Sequence, residues 1–197
     1  MGSFAIQLLA AQACKDPASL QNAESLAPLL LHYIQNGPED ARENSLLLLN
    51  GMLPVWGSAT KTNLVELDGF NVLCRFLMCS KLELCLCVAS VCHQLYRLQA
   101  EHQLAFANAR GSGQLLQLML RCSEDLPTLK VLLTYAEDLL VLEEQGINHL
   151  VSARLKYSMA SEVLADIKAK GVSKEATKTI DRISAMLARS FESSTKY

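Results

Sequence analysis

NLVELDGFNVLCRFL, residues Asn63 to Leu77, decides how the rest of the chain is interpreted. Apolar residues at helical spacing run up to Asp68-Gly69, and a second apolar run begins at once with Phe70. Glycine adopts left-handed backbone at little steric cost, so we expect Gly69 to form a left-handed turn between two helices. The stretch therefore predicts a sharp helix–helix junction.

The composition favours an all-α protein. Half of the 197 residues are hydrophobic, which excludes a disordered chain, and there are only 5 prolines and 9 glycines. Strict alternation of apolar and polar residues, which is typical of half-buried strands, is nearly absent. Leucine-rich runs such as 45–49 and 114–118 instead suit helices that are buried on more than one side.

The junction recurs at an interval near 43 residues. The apolar helix at Ala27 begins 43 residues before Phe70, and Gly113 lies 44 residues after Gly69. Gly146 follows after a shorter interval of 33 residues. Because no such helix can bury its apolar side alone, the chain is predicted to stack its helices in a solenoid.

Each repeat has a polar break followed by a longer apolar helix. The first break, Gly37-Pro38, stops a helix because proline lacks an N–H group and restricts the residue before it. We predict long helices over 41–53, 82–98 and 128–142, and short ones over 61–67 and 101–109.

LDGFNVL (67–73) and QGINHLV (145–151) resemble the glycine-containing turn of the armadillo repeat family, and LNGML (49–53) resembles the end of its third helix. The resemblance covers roughly residues 25–152, and a HEAT-like assignment is nearly as good. It implies a short right-handed superhelix of about three repeats with a helix at each end. We expect one structural domain, with an N-terminal capping helix (1–24), the repeats (25–152) and C-terminal amphipathic helices (153–197).

In armadillo proteins the third helices line a concave groove, and their asparagines hold the backbone of an extended peptide. The resemblance places Asn50 at that position, with His93 and Glu137 at the corresponding positions of the next two repeats. Where peptide-binding members often have tryptophan, this chain has Leu46, Ala89 and Leu133. The resemblance thus implies a groove for a protein or peptide segment, with the binding residues Asn50, His93, Glu137, Glu43, Ser90, Arg97, Lys130 and Thr134.

Two alternatives stay open for this groove. His93 and Glu137, in place of asparagine, favour a partner helix or a basic segment over an extended peptide. The second alternative is structural, with Asn50 capping or cross-linking neighbouring helices instead of binding a partner.

The residues after Gly146 predict a long helix over 147–169 that is ended by Gly171, and a last helix that is capped by Ser173. We expect these helices to cap the solenoid. Apolar positions of the last helix form one stripe, Ala176, Ile180, Ile183, Leu187 and Phe191. In the alternative reading this stripe docks a second copy, and the chain is a self-assembling scaffold.

Basic residues recur at every fourth position near the C-terminus. They form a candidate surface for an oligomer or an acidic partner, consisting of Lys170, Lys174, Lys178 and Arg182. The net charge is −6 up to Leu150 and +4 from Val151, so this end would attract acidic partners. Nucleic acid is the least favoured partner, because aromatic residues are nearly absent among these basic residues.

The sequence contains no recognisable catalytic or metal-binding motif. Its 4 histidines lack HExxH spacing, and it has neither a phosphate-binding loop nor a nucleophile elbow. The 7 cysteines are an odd number, and five of them lie within 74–92 in helical, leucine-rich sequence, which indicates reduced core thiols. We expect no cofactor, no metal and no enzymatic activity.

No apolar run is long enough to span a membrane, and the first residues lack the pattern of a secretory signal. The chain is therefore predicted to be cytoplasmic or nuclear. Its predicted function is that of a scaffold or adaptor for protein–protein interaction.

Overall fold

The computed structural model of the chain describes residues 9, 15–16, 23–145, 155 and 159–194. These residues form ten α-helices and no strand, which confirms the all-α prediction. They fall into two compact units, which lie within Met1–Leu98 and Gln99–Tyr197. The division into a capping helix, repeats and C-terminal helices stays a prediction, because most of 1–24 lies outside the described residues.

The described residues of the first unit form five α-helices, α1 (Ala27–Asn36), α2 (Glu39–Met52), α3 (Ser58–Glu66), α4 (Gly69–Cys74) and α5 (Leu82–Tyr96), and a short 3-10 helix at Leu53–Val55. The break predicted at Gly37-Pro38 separates α1 from α2, with Gly37 in extended backbone (ψ 164°). α2 packs against both α1 and α5. Leucines dominate the core, among them Leu46, Leu48, Leu49, Leu64, Leu77 and Leu95, and each buried leucine stabilises the fold by about 1.5–3 kcal/mol.

The described part of the second unit also forms five α-helices, α6 (Ala100–Asn108), α7 (Gly111–Arg121), α8 (Leu126–Gln145), α9 (Ala160–Ala169) and α10 (Lys174–Ser194). α8 contacts α6, α7 and α10, and α9 contacts α7 and α10. The apolar stripe of the last helix is turned into this unit, because Ala176, Ile180, Ile183 and Leu187 are all buried.

The turn at Asp68-Gly69 differs from the prediction in one respect. Asp68 is the left-handed residue, with φ 64°, and Gly69 is the first residue of α4. A Cβ atom at Gly69 would lie 2.4 Å from the carbonyl oxygen of Leu64. The prediction of a left-handed Gly69 is wrong, and glycine is needed there because the backbone passes too close for a side chain.

The equivalent turn in the second unit is at Arg110-Gly111, 42 residues later, and the prediction that placed it at Gly113 is wrong. Arg110 has φ 63°, and a Cβ atom at Gly111 would lie 2.1 Å from the ring of Phe106. The turn predicted at Gly146 lies outside the described residues.

The helices near the C-terminus confirm two predictions and correct one. Met159 has φ 59°, so α9 begins at Ala160, and the prediction of one continuous helix over 147–169 is wrong. The predicted glycine end is confirmed by Gly171, with φ 79°. The predicted cap is confirmed as well, because the Ala176 N–H donates to Ser173 Oγ at 3.2 Å.

Candidate functional site

The parallel helices α2 and α5 form the surface on which most residues of the predicted groove in the first unit lie. The thiol of Cys87 on α5 donates to the carbonyl oxygen of Leu46 on α2 at 3.4 Å. Lys81, just before α5, binds Glu39 and Glu43 in the first two turns of α2. The contacts follow the same order along both helices, so α2 and α5 run in the same direction.

The outward residues on the two helices define what we call the α2–α5 face: Glu43, Leu47 and Asn50 of α2, and Ser90, Gln94 and Arg97 on or just after α5. Spacings of three and four residues put each set on one side of its helix. Leu47 is 44% exposed, although it lies between two buried leucines in the sequence. Gln94 Nε2 donates to Ser90 Oγ at 3.5 Å.

Lys81 binds both carboxylates at the acidic end of this face and offsets one of their two negative charges. Its ammonium group lies 3.1 Å from Glu39 Oε1 and also contacts Glu43 Oε1. The hydrogen bond to Glu43, followed by that to Glu39, raises the pKa of Lys81. The hydrogen bond from Lys81 to Glu39 in turn lowers the pKa of Glu39. Glu43, a predicted binding residue, is therefore already held by a lysine.

Asn50 is half-buried on α2, eleven residues after the first residue of that helix. Its Oδ1 atom is buried and accepts no hydrogen bond within the described part of the chain. Its neighbour on the same helix, Asn44, instead donates from Nδ2 to the Asp40 carbonyl oxygen at 2.6 Å. The described residues therefore offer no helix–helix cross-link through the Asn50 oxygen.

His93 lies at the same height on α5 as Asn50 does on α2, eleven residues into its helix. Its side chain is only 8% exposed and contacts the ring of Tyr96 edge to face, with the centroids 5.4 Å apart. The structure thus places Asn50 at the surface, while His93, its predicted counterpart, is mostly in the core.

The predicted residues of the second unit lie on α8, and α10 engages two of them, Lys130 and Glu137. Arg182 binds Glu137 through two nitrogen atoms, with Nε 2.7 Å from Oε1 and Nη2 3.1 Å from Oε2. Lys130 lies 2.8 Å from Glu175, which lowers the pKa of that carboxyl group. Thr134 is exposed, and its hydroxyl donates to the Lys130 carbonyl oxygen at 3.1 Å.

Two members of the predicted basic surface, Lys170 and Arg182, are thus used within the second unit. Lys170 Nζ donates to Ser123 Oγ at 2.7 Å, and Arg182 is held by Glu137. Lys174 and Lys178 are exposed on α10. Lys170 and Arg182 are exposed as well, so all four residues of the predicted basic surface face solvent.

Sequence reasoning missed two features of the first unit. Glu24 accepts hydrogen bonds from the Gly57 N–H at 2.8 Å and from the Thr60 hydroxyl at 2.5 Å, and so it caps α3 from 33 residues away. These bonds, that of Gly57 first, lower the pKa of Glu24. The second feature is a pair of thiols, Cys79 and Cys85, with Sγ atoms 3.5 Å apart. No local pattern signals the first, and only the clustering of cysteines hinted at the second.

Comparison with known proteins bears on the fold. A scan against family models and a search of curated proteins return no match. A designed armadillo repeat protein in complex with the peptide (KR)4 is similar, with 11% identity, a TM-score of 0.50 and coverage of 94% of this chain and 91% of that chain. The fold is armadillo-like.

Two further solved structures are similar to this chain over most of their length. An engineered protein has 13% identity and a TM-score of 0.53, with 95% of this chain and 90% of that chain covered. Another designed armadillo repeat protein has 12% identity and a TM-score of 0.50, with 94% and 92% covered. At identities this low, the structural similarity establishes the armadillo-like fold alone. Function has to be inferred from the surface residues of this chain.

The positions at which armadillo proteins often carry tryptophan lie in the core of this chain. Leu46, Ala89 and Leu133 are 0%, 3% and 1% exposed. The exposed apolar residue of the α2–α5 face is instead Leu47.

Neither a membrane-crossing helix nor a metal-binding cluster is found in the described part of the chain. None of the helices there is long and apolar enough to cross a bilayer. The described histidine, cysteine and acidic residues do not form any group of three that could hold a metal ion.

Proposed function

We propose that this chain is a non-enzymatic protein-interaction scaffold that holds a segment of a partner protein on the α2–α5 face. The observation that carries the proposal is the half-buried Asn50 amide, whose buried oxygen has no hydrogen-bond partner among the described residues. The armadillo-like fold supports it, since a designed armadillo repeat protein is found in complex with the peptide (KR)4.

The unpaired Asn50 oxygen favours binding for an energetic reason. A buried acceptor without a partner costs about 1–3 kcal/mol, and an amide flip that turns this oxygen outward would let a ligand N–H group recover much of that cost. A rotation about the Cβ–Cγ bond exchanges the amide oxygen and nitrogen, so the side chain can offer either to a ligand. Asn50 can therefore bind both the N–H and the carbonyl groups of an extended segment.

The neighbours of Asn50 indicate what the segment contains. Leu47 is 44% exposed one turn away and would take an apolar side chain of the partner. Glu43, although bound by Lys81, adds carboxylate charge at the start of the face. We propose a segment that places an apolar residue on Leu47 and its backbone on Asn50.

The first unit is the better candidate because the Asn50 oxygen has no hydrogen-bond partner among the described residues. In the second unit Glu137 is bound by Arg182, and Lys130 is bound by Glu175. A partner would have to displace these ion pairs to use α8. Thr134 and the exposed lysines of α10 stay as secondary proposals for the same partner.

We also propose that the chain works in a reducing compartment, the cytoplasm or the nucleus. Cys74, Cys87 and Cys92 are buried in the first unit and pack as small apolar side chains. Burial raises the pKa of Cys92 well above its ordinary value, with Cys74 adding to the effect, so this thiol stays protonated and inert.

A displayed library of random peptides, selected on the full chain, tests the proposal. Calorimetry then compares the binding of one selected peptide to the wild type, Asn50→Ala and the matched control Asn44→Ala. We expect about a 10-fold loss of affinity for Asn50→Ala, or about 1.4 kcal/mol, and no loss for Asn44→Ala. Equal affinity of all three proteins, at unchanged thermal midpoints, would exclude Asn50 as the binding residue.

A further inference from the structure

Two thiols meet where the loop after α4 joins α5. Cys79 lies in the non-helical residues that precede α5, and Cys85 lies in the first turn of that helix. Their Sγ atoms are 3.5 Å apart. The Cys79 thiol also lies 3.3 Å from the Lys81 carbonyl oxygen, and the Cys85 thiol lies 3.4 Å from the Cys79 carbonyl oxygen. The two sulfur atoms are already in contact before any bond joins them.

One of these thiols is open to small molecules and the other is not. Cys79 is partly exposed and lines a pocket of about 210 Å³, together with Phe76, Ser80 and Lys81 of the same loop. Cys85 is 0% exposed. A small oxidant can therefore reach Cys79 from the pocket, whereas it cannot reach the buried Cys85 thiol directly.

The other cysteines that the structure describes in the first unit do not share this arrangement. Cys74, Cys87 and Cys92 are buried, and none of them lines the pocket. The backbone of Cys79 is also free of regular helix, whereas Cys85, Cys87 and Cys92 are held within α5. Cys79 is thus the thiol that can both meet an oxidant and move toward a second sulfur.

We propose that Cys79 and Cys85 are a redox modification site, at which a hydroperoxide converts the pair to a reversible disulfide. In the first step the Cys79 sulfur attacks the peroxide, an S–O bond forms and the O–O bond breaks. The sulfur is oxidised to a sulfenic acid, and the peroxide leaves as an alcohol, or as water in the case of hydrogen peroxide.

In the second step the Cys85 sulfur loses its proton and attacks the Cys79 sulfur. The S–S bond forms, the S–O bond breaks, and the hydroxide leaves as water with that proton. Two thiols and one hydroperoxide therefore give one disulfide, one alcohol and one water. A small thiol such as glutathione reverses the change by thiol–disulfide exchange.

The disulfide would also alter the loop that carries Lys81. The sulfur atoms must approach to about 2.05 Å, which removes the thiol contact with the Lys81 carbonyl oxygen. Lys81 is the residue that binds Glu39 and Glu43 of α2. Oxidation should therefore weaken the ion pairs between this loop and α2.

Hydrogen peroxide on the folded full chain tests the site. Trypsin cuts after Arg75, Lys81 and Arg97, so Cys79 and Cys85 fall in different peptides, 76–81 and 82–97. After peroxide and alkylation, mass spectrometry without reduction should find these peptides joined with the loss of two hydrogens. The thiol titre of the denatured chain should fall from seven to five and return with glutathione.

Variants assign the linkage within peptide 82–97, which also contains Cys87 and Cys92. Cys87→Ser is the matched control and should leave the joined peptides unchanged. Cys85→Ala should abolish them and leave a sulfenic acid on Cys79 that dimedone traps. Cys79→Ser should fold, because residue 79 is partly exposed, and it should give neither the joined peptides nor the sulfenic acid. Joined peptides that persist in Cys85→Ala, or a Cys79 that passes directly to the sulfinic acid in the wild type, would overturn the proposal.

Discussion

Asp68 and Arg110 lie 42 residues apart and adopt the same left-handed backbone, with φ 64° and 63°. Each precedes a helix that begins with a buried glycine, Gly69 in α4 and Gly111 in α7. The pair shows that the repeat is built around a left-handed residue followed by a glycine with no room for a side chain, because the Leu64 carbonyl lies against Gly69 and the Phe106 ring against Gly111. The glycine itself supplies the space and not the handedness.

The first prediction concerns these two glycines. Gly69→Ala and Gly111→Ala should each destabilise the chain by about 1–3 kcal/mol, because the new methyl group meets Leu64 or Phe106 well inside contact distance. Gly57→Ala is the matched control, since its Cβ would meet Glu24 at an ordinary 3.4 Å. Urea unfolding measures the differences, and an effect of Gly57→Ala as large as the others would contradict the steric explanation.

Gly171 tests the opposite cause. It has φ 79°, and a Cβ atom there would meet nothing within 4 Å. Gly171→Ala should still cost about 1 kcal/mol, because a side chain disfavours left-handed backbone. Asparagine tolerates that conformation better than alanine does, so Gly171→Asn should cost less in the same unfolding experiment. Equal losses for the two variants would point to a cause other than backbone conformation.

Glu24 makes stability depend on pH in the acid range. Its pKa is lowered by the Gly57 and Thr60 hydrogen bonds, so its contribution is present above the ordinary glutamate pKa of ~4.3 and is lost as the pH falls through the lowered value. Glu24→Gln should therefore lower the thermal midpoint at neutral pH, and the difference should shrink in acid.

The control for Glu24 is Glu66→Gln, a substitution at the exposed far end of the same helix, α3. We expect its thermal midpoint to follow the wild type more closely at every pH. A constant gap between Glu24→Gln and the wild type from neutral pH into acid would show that the carboxylate charge is not what caps α3.

The Glu137–Arg182 ion pair should contribute more to stability than a fully exposed one. The Glu137 side chain is only 19% exposed and is bound by two nitrogens, whereas both partners of Lys168–Asp181 are about half exposed. A double-mutant cycle with Glu137→Gln and Arg182→Gln should give a coupling of about 0.5–1 kcal/mol. Lys168→Gln with Asp181→Asn should couple less, and the reverse order would refute this ranking.

The sequence predicted the helices well because their signals are local. Gly37-Pro38, Gly171 and Ser173 each act within a few residues, and all three behave as predicted. The candidate groove was harder to predict, because it depends on which side of a helix faces solvent. Counting residues placed His93 beside Asn50, but one residue turns a helix by about 100°, and His93 proves to be mostly buried.

Contacts between distant residues were not predictable at all. Glu137 and Arg182 were assigned to different surfaces, and 45 residues separate them. The contact between Cys79 and Cys85, which are close in sequence, was not predicted either. Cys79 precedes the helix that holds Cys85, so helical spacing does not relate the two residues. Side-chain chemistry of this kind depends on tertiary packing, which the spacing of residue types does not encode.

The cap that Glu24 places on α3 bears on how the chain can be divided for experiments. Residue 24 ends the segment predicted as a separate capping helix, yet its carboxylate binds Gly57 and Thr60 in the first repeat. A fragment that begins at Ser25 would follow the predicted boundary, but it would lack the hydrogen bonds from Gly57 and Thr60 to Glu24. Domain borders drawn from periodicity alone should therefore be moved upstream of Glu24 before any piece of this protein is expressed by itself.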